Sequence, residues 1–284
     1  MTFLSLTWCD LSWTVWQPFR SPGGPASGEA PELPAAPGFY RLRPAGQPAL
    51  AYLDHTTRLR RRLLGDLAPG ALAGRMPYTE PHPAAPCLWA WRQAQGVEFE
   101  VSYTLTELEK RERQGLLCLL LWRYRLEKGE SPWCSYGRFH PDFTRSSNRK
   151  SGIRGERRLP DEPPNPAGGP SLPPLQPQGE FSGDGWLGLD WSPFYYLKKE
   201  LARAPAGPGV FRLLKPAGPE LLAVEAADSL RARLAALSER DWTPLDPLYS
   251  FAELPGSLPH QRREAEGDLL GAYYAVSARL PALF

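Results

Sequence analysis

Two stretches of this chain are copies of one another. Residues 37–63 read PGFYRLRPAGQPALAYLDHTTRLRRRL and residues 208–234 read PGVFRLLKPAGPELLAVEAADSLRARL. Laid together without gaps, Pro37, Gly38, Arg41, Leu42, Leu50, Leu59, Arg60, Arg62 and Leu63 recur as Pro208, Gly209, Arg212, Leu213, Leu221, Leu230, Arg231, Arg233 and Leu234. Downstream, Arg113, Leu120, Leu121, Tyr124 and Pro132 recur as Arg262, Leu269, Leu270, Tyr273 and Pro281. The first pair is offset by 171 positions and the second by 149, so the second copy is about 22 residues shorter in its middle. Two copies in one order fit a duplicated domain better than a solenoid.

Each copy opens as strand, turn, strand, helix. Pro44-Ala45-Gly46-Gln47-Pro48 is turn chemistry between two β-prone runs. Tyr40 falls in the first strand, Tyr52 in the second, and Arg58, Arg60, Arg61 and Arg62 on the helix. Residues 97–103 alternate apolar and polar, which predicts a third, half-buried strand. A buried core helix is predicted over 106–128, capped by Thr106 and ended by Gly129, and its counterpart over 260–284. Leu11–Thr14 and Leu189–Ser192 precede the two hairpins and predict short lead-in helices, with Trp13 and Trp191 as packing anchors. Residues 21–37 predict an irregular loop, and the prolines of 76–84 delay any regular element to Ala85. The fold class expected is α+β: two similar modules, each a small, mostly antiparallel three-stranded sheet flanked by helices. The expected boundaries are 1–158 for the first module with a basic C-terminal loop, 159–186 for a Pro/Gly-rich linker, and 187–284 for a second, degenerate module.

A hairpin and a helix that gather two phenols and a guanidinium suit work on a phosphodiester. A phenol can move a proton and an arginine can neutralise a phosphate. These residues resemble the GIY-YIG nuclease superfamily. Gly38-Phe39-Tyr40 stands for the Gly-Ile-Tyr half and Tyr52-Leu53-Asp54 for the Tyr-Ile-Gly half, with its glycine replaced. The family's catalytic arginine, ten residues past the second tyrosine, is Arg62 here. The resemblance implies a metal-dependent phosphodiesterase: a tyrosine that activates water, an arginine that offsets charge, a core-helix glutamate that holds one Mg²⁺ or Mn²⁺, and an asparagine downstream.

Neither copy has the full set. The second keeps Arg233 and carries Glu266, in a Glu-Gly-Asp-Leu-Leu run similar to the family's Glu-x-x-Leu-Ile, but its tyrosines have become Phe211 and Ala223, and it ends at Phe284 before a downstream asparagine. The first has Tyr40, Tyr52 and Arg62, but Leu117 stands where Glu266 does and Ser135 at the asparagine position. Glu112 is the nearest substitute ligand, five residues earlier and about 140° around the helix. The leading expectation is therefore a catalytically impaired, nucleic-acid-binding protein. An active endonuclease would need a displaced carboxylate, Glu112 or Glu109, or a composite site. A third reading keeps the fold as a protein-interaction scaffold.

The formal net charge is only +2, so a nucleic-acid face must come from local clustering. Residues 143–158, FTRSSNRKSGIRGERR, supply it. Arg145, Arg149, Lys150 and Arg154 are the phosphate-contact candidates, DNA being the expected partner, with backbone N–H groups left free by small polar neighbours. His82 stands alone in a Pro-rich loop and predicts no role. Ser146–Lys150 is read as phosphate contact rather than a Ser/Lys hydrolase. Cys9, Cys87, Cys118 and Cys134 are too widely spaced for a zinc site and predict free thiols in a cytoplasmic protein. No P-loop, signal peptide or membrane span is expected, and the oligomeric state is left open.

Overall fold

The structure is a computed structural model that describes residues 2–21, 32–218 and 220–284. Residues 22–31, most of the expected 21–37 loop, lie outside the described residues. The chain divides into two compact units, Met1–Arg113 with Ser131–Pro170, and Gln114–Glu130 with Ser171–Phe284. This division differs from the one expected: residues 114–130 of the first copy's core helix group with the second unit, as do residues 171–186 of the presumed linker.

The first unit opens with a two-stranded ladder of β1 (Thr7–Trp8) and β2 (Leu11–Ser12), followed by β3 (Gln17–Pro18). Strand, not lead-in helix, forms at Leu11–Ser12, because Cys9 and Asp10 both take positive φ and reverse the chain there. The hairpin is β4 (Gly38–Pro44) and β5 (Tyr52–Thr56). Its turn is closed by the Gln47 N–H on the Pro44 carbonyl, 3.1 Å, with Gly46 at φ +70°. A helix follows: a π-helical segment, Arg61–Leu67, runs into α1 (Ala68–Ala71). Then come α2 (Ala85–Gln95) and β6 (Phe99–Leu105), and α3 (Lys110–Lys128) starts in this unit. The sheet order is β3-β6-β4-β5, all antiparallel, with Tyr40 paired to both Asp54 and Tyr103. Four strands rather than three are present; the extra one is a two-residue edge.

The second unit repeats this order. Two-residue β7 (Tyr195–Tyr196) flanks β10 (Leu248–Glu253), β8 (Gly209–Leu214) and β9 (Leu221–Ala227) in the order β7-β10-β8-β9. The register is the same: Phe211 pairs with Glu225 and Phe251 as Tyr40 does with Asp54 and Tyr103. Helix α4 (Leu230–Ser238) is plain α, with the Ser229 hydroxyl accepting the Ala232 N–H at its start. Helix α5 (Pro259–Ser277) has the same length as α3.

Glycine at the first position of each central strand is a steric requirement. A Cβ on Gly38 would collide with the Thr104 carbonyl and Leu59, and one on Gly209 with the Ala252 carbonyl and Leu230. Each sheet is pinned from behind by a buried arginine. Arg41 lies over Trp13 (4.3 Å) and Trp16 (4.7 Å) and donates to the carbonyls of Phe3 (2.5 Å) and Ser5 (2.8 Å). Arg212 lies over Trp191 (4.2 Å) and Phe194 (4.7 Å) and donates to Phe181 (2.7 Å) and Gly183 (2.9 Å). Trp13 and Trp191 each donate an indole N–H to the tryptophan carbonyl five residues back. The duplication thus begins upstream of the hairpin, at a third offset of 178 positions, inside the segment expected to be linker. Burial lowers the Arg41 and Arg212 guanidiniums to about 9 and about 10.

Within the second unit, α3 and α5 run antiparallel at close range: a Cβ on Gly115 would strike Tyr274, and one on Gly271 the Cys118 carbonyl. Arg125, fully buried, donates to Asp268 (2.7 and 3.1 Å) and pairs with Glu264 (3.5 Å). Those two carboxylates also accept the Leu175 and Leu172 N–H groups, which ties down the Pro-rich segment before β7. No helix among the described residues is long and apolar enough to cross a membrane.

Candidate functional site

In the first unit, pairing of Tyr40 with Asp54 across the hairpin brings the two tyrosines together on one face, their rings 6.2 Å apart. Between them sits Asp54. Its Oδ2 accepts the Tyr52 hydroxyl (3.0 Å) and the Tyr40 hydroxyl (3.3 Å); its Oδ1 accepts the His55 N–H (2.7 Å). His82 closes the cluster, with Nε2 3.2 Å from the Tyr40 oxygen and the ring edge-on to Tyr52.

The tautomer of His82 follows from its other nitrogen. Nδ1 accepts the Ala84 N–H at 3.2 Å, so the neutral ring carries its proton on Nε2 and donates it to Tyr40. Burial lowers the imidazole to about 3, and Arg62 adds to the effect. The hydrogen bonds therefore run in one direction, from His82 through Tyr40 to Asp54, with Tyr52 as a second donor. Both phenols are held well above their ordinary value, first by burial and then by the Asp54 charge. Burial also raises Asp54, against the His55 N–H and Tyr52 hydrogen bonds and the nearby His55 and Arg62 side chains. Tyr40 and His82 are sealed from solvent at 0% and 1% exposure, while Tyr52 is partly open.

Arg62 stands beside this network and exerts its field on both tyrosines, Asp54 and His82. Its guanidinium is one-third exposed and lies 3.7 Å from Asp66. Its Nε is buried without a hydrogen-bond partner among the described residues. With Arg58 and Arg61 it lines a polar cleft of about 380 Å³, whose other walls are Thr56, Thr57 and Asp66. Arg60 is spent on structure, donating to the Leu33 carbonyl at 2.7 Å. The π-helical segment carries Arg61, Arg62 and Asp66, and wide turns of this kind recur at functional sites.

Glu112 is not part of the cluster's hydrogen bonding: it is exposed, and its carboxylate accepts the Glu109 N–H at 2.8 Å at the head of α3. Leu117 occupies the Glu266 position on α3. Of the basic loop, Arg145, Arg149 and Lys150 are exposed, whereas Arg154 is turned inward over Tyr78 (4.1 Å), donating to the Met76 carbonyl (2.6 Å). The loop's backbone N–H groups, expected free, are largely filled by its own oxygens. Ser135 is buried with its hydroxyl unpartnered among the described residues. Cys87 and Cys134 are free, buried thiols next to each other, Cys134 also beside Tyr52.

The second unit gathers a different set. Arg233 donates through Nε to Glu225 (2.5 Å), the counterpart of Asp54, and Glu266 lies near both. Burial and the Glu225 charge push Glu266 up to about 7. Phe211 and Ala223, both buried, replace the phenols with packing.

The two units fit a divalent metal unequally. In the first, both oxygens of the one clustered carboxylate, Asp54, are taken by O–H and N–H donors, which leaves a cation a poor site. In the second, Glu225 and Glu266 are two hard oxygen donors near each other, Glu225 bound to Arg233 and Glu266 held by the Ala226 backbone N–H, and one or two carboxylates are what Mg²⁺ uses. No group of three or more His, Cys, Asp or Glu that could hold a metal occurs among the described residues. Neither His82 nor Asp54 was legible as a site residue: His82 is 42 positions from Tyr40, and Asp54 reads in the sequence only as a departure from an expected glycine. Compared with family models, curated proteins and solved structures, the chain matches none.

Proposed function

We propose that this is a GIY-YIG-like nucleic-acid-binding protein whose first unit grips the phosphodiester backbone without cutting it. The observation that carries this reading is the closed state of Asp54. A tyrosine that activates water needs a hydroxyl open to water and a base able to take its proton. Tyr40 is sealed, its phenol is harder to ionise than usual, and the carboxylate beside it is occupied by three donors. The Arg58–Arg61–Arg62 cleft, by contrast, is open and cationic, and guanidinium forks match phosphate oxygens.

Fluorescence anisotropy with a labelled duplex DNA tests this. Binding is expected without divalent metal and with a steep salt dependence. Arg61→Ala/Arg62→Ala should weaken it at least tenfold and flatten the slope of log K against log[salt] by about 1.8. Tyr40→Phe should bind within twofold of wild type. Metal-dependent nicking of plasmid DNA, lost in Tyr40→Phe and Arg62→Ala, would overturn the non-cutting reading.

A second reading rests on the Glu225–Glu266 pair. A metal-dependent endonuclease with a displaced site would need that pair to hold Mg²⁺ or Mn²⁺. Electron paramagnetic resonance of Mn²⁺, with and without Glu266→Gln, tests the metal site independently of activity, and no binding removes this reading.

A further inference from the structure

The segment 143–158 is a finger, not a loose loop. Phe143 bridges Arg157, the Thr144 N–H bonds the Glu156 carbonyl (2.9 Å), and the Ser147 N–H bonds Ile153 (2.9 Å), which leaves a short tip at 148–152. Gly155 lets the two limbs cross: a Cβ there would collide with the Thr144 carbonyl. One limb and the tip are fastened to residues 76–80. The Thr79 N–H bonds the Ser147 carbonyl (3.2 Å), the Tyr78 hydroxyl bonds Gly152 (3.3 Å), and the Arg149 N–H bonds Glu80 (2.8 Å). Two residues beyond Glu80 comes His82, which donates to Tyr40. The finger and the tyrosine–arginine site are thus joined by one short, hydrogen-bonded strap.

Residues 144–158 carry six cations against one carboxylate, in a chain whose net charge is +2. Arg145 and Arg157 stand exposed beside Phe139 and Phe143, at 5.8 and 5.4 Å from ring to guanidinium. Arg149 and Lys150 are exposed at the tip. Beside them Ile153, the residue that closes the tip, is 65% exposed, and it is the one large apolar side chain there.

An exposed aliphatic among cations on a braced hairpin has a recognised use: it wedges against base steps while the cations hold the flanking phosphates. Single-strand binders present aromatic platforms instead, and here the nearby Tyr78 ring is covered by Arg154. A membrane anchor would need more apolar surface than one isoleucine offers. We infer that the 143–158 finger enters a groove of duplex nucleic acid, with Arg145, Arg149, Lys150 and Arg157 on phosphates and Ile153 as the wedge. This rests on the nucleic-acid reading above and adds the form of the partner and the residue that deforms it.

The test uses the full chain, a 20-base-pair DNA duplex with 2-aminopurine near its centre, the matching single strand, and vesicles of anionic lipid. Duplex should bind at least tenfold tighter than single strand, with a rise in 2-aminopurine fluorescence as the base unstacks. Arg149→Ala/Lys150→Ala should lower the salt slope by about 1.8. Ile153→Ser should leave the slope unchanged, weaken duplex binding about fivefold and abolish the fluorescence rise. These positions are exposed, and circular dichroism checks that the variants fold. If the finger variants bind like wild type while Arg61→Ala/Arg62→Ala does not, the finger inference falls and the phosphate-cleft reading stands. If wild type binds no nucleic acid, both fall. Vesicle binding lost in Ile153→Ser, without duplex binding, would make the finger a lipid contact and overturn the inference.

Discussion

Two buried acids and bases of this protein bend its pH stability in opposite directions. His82 titrates near 3 in the folded chain against 6.5 when unfolded, so the unfolded chain binds the extra proton between those values. Its contribution is complete above about pH 6.5 and is lost progressively as pH falls toward 3. His82→Gln should flatten the acid limb of a urea-denaturation series over that window. Glu266 is raised to about 7 from an ordinary 4.5, so here the folded state holds the proton. Its contribution is complete below pH 4.5 and is lost as pH rises through 7. Glu266→Gln should therefore gain stability relative to wild type between pH 5 and 8, by up to about 3 kcal/mol. A flat difference across that range would mean that Glu266 is solvated. His82 is the residue the sequence conceals best, since a histidine in a proline-rich loop shows its role only when a distant strand closes over it; Glu266 was singled out by its helix pattern, but its burial was not legible.

At the scale of elements, the hairpin was the most legible part. Turn chemistry at 44–48, the strands on either side and the basic helix all form as their patterns predict, because turn and register are local properties. The two-residue edge strands were not legible, since two residues carry no periodicity. The π-helical course of Arg61–Leu67 was also hidden: its second-copy equivalent starts on a Ser229 cap and stays α, whereas the first copy has Arg58 at that place. Gly38 and Gly209 give a direct test of the close strand crossings. Gly38→Ala and Gly209→Ala should each cost about 2–3 kcal/mol in chemical denaturation, since the obstructing atoms are a backbone carbonyl and a core leucine, neither of which yields easily. An alanine tolerated at either position would mean that the central strands are looser than described.

Over the whole molecule, the duplication was visible in the sequence through its hairpins, its core helices and the paired Leu11–Thr14 and Leu189–Ser192, but the arginine cradle that the upstream part builds was not. Residues 3–16 and 181–194 share few letters, yet both deliver two carbonyls and two aromatic rings to one buried arginine. What repeats there is a tryptophan pair, which side-chain comparison shows, and a set of backbone acceptors, which it cannot detect. Arg41→Met and Arg212→Met should each cost about 3 kcal/mol, since each strands buried carbonyls. The loss should be seen as altered quenching of Trp13 or Trp191, and an unchanged midpoint in either variant would remove the arginine from that role. The glycine squeezed at the head of each central strand has a broader consequence. It persists in both copies, although the second has Phe211 and Ala223 where the first has tyrosines. Half of the Gly-x-Tyr pattern is therefore a clearance requirement between two strands, and a pattern that weighs Gly38 as heavily as Tyr40 sorts chains by architecture before it sorts them by chemistry.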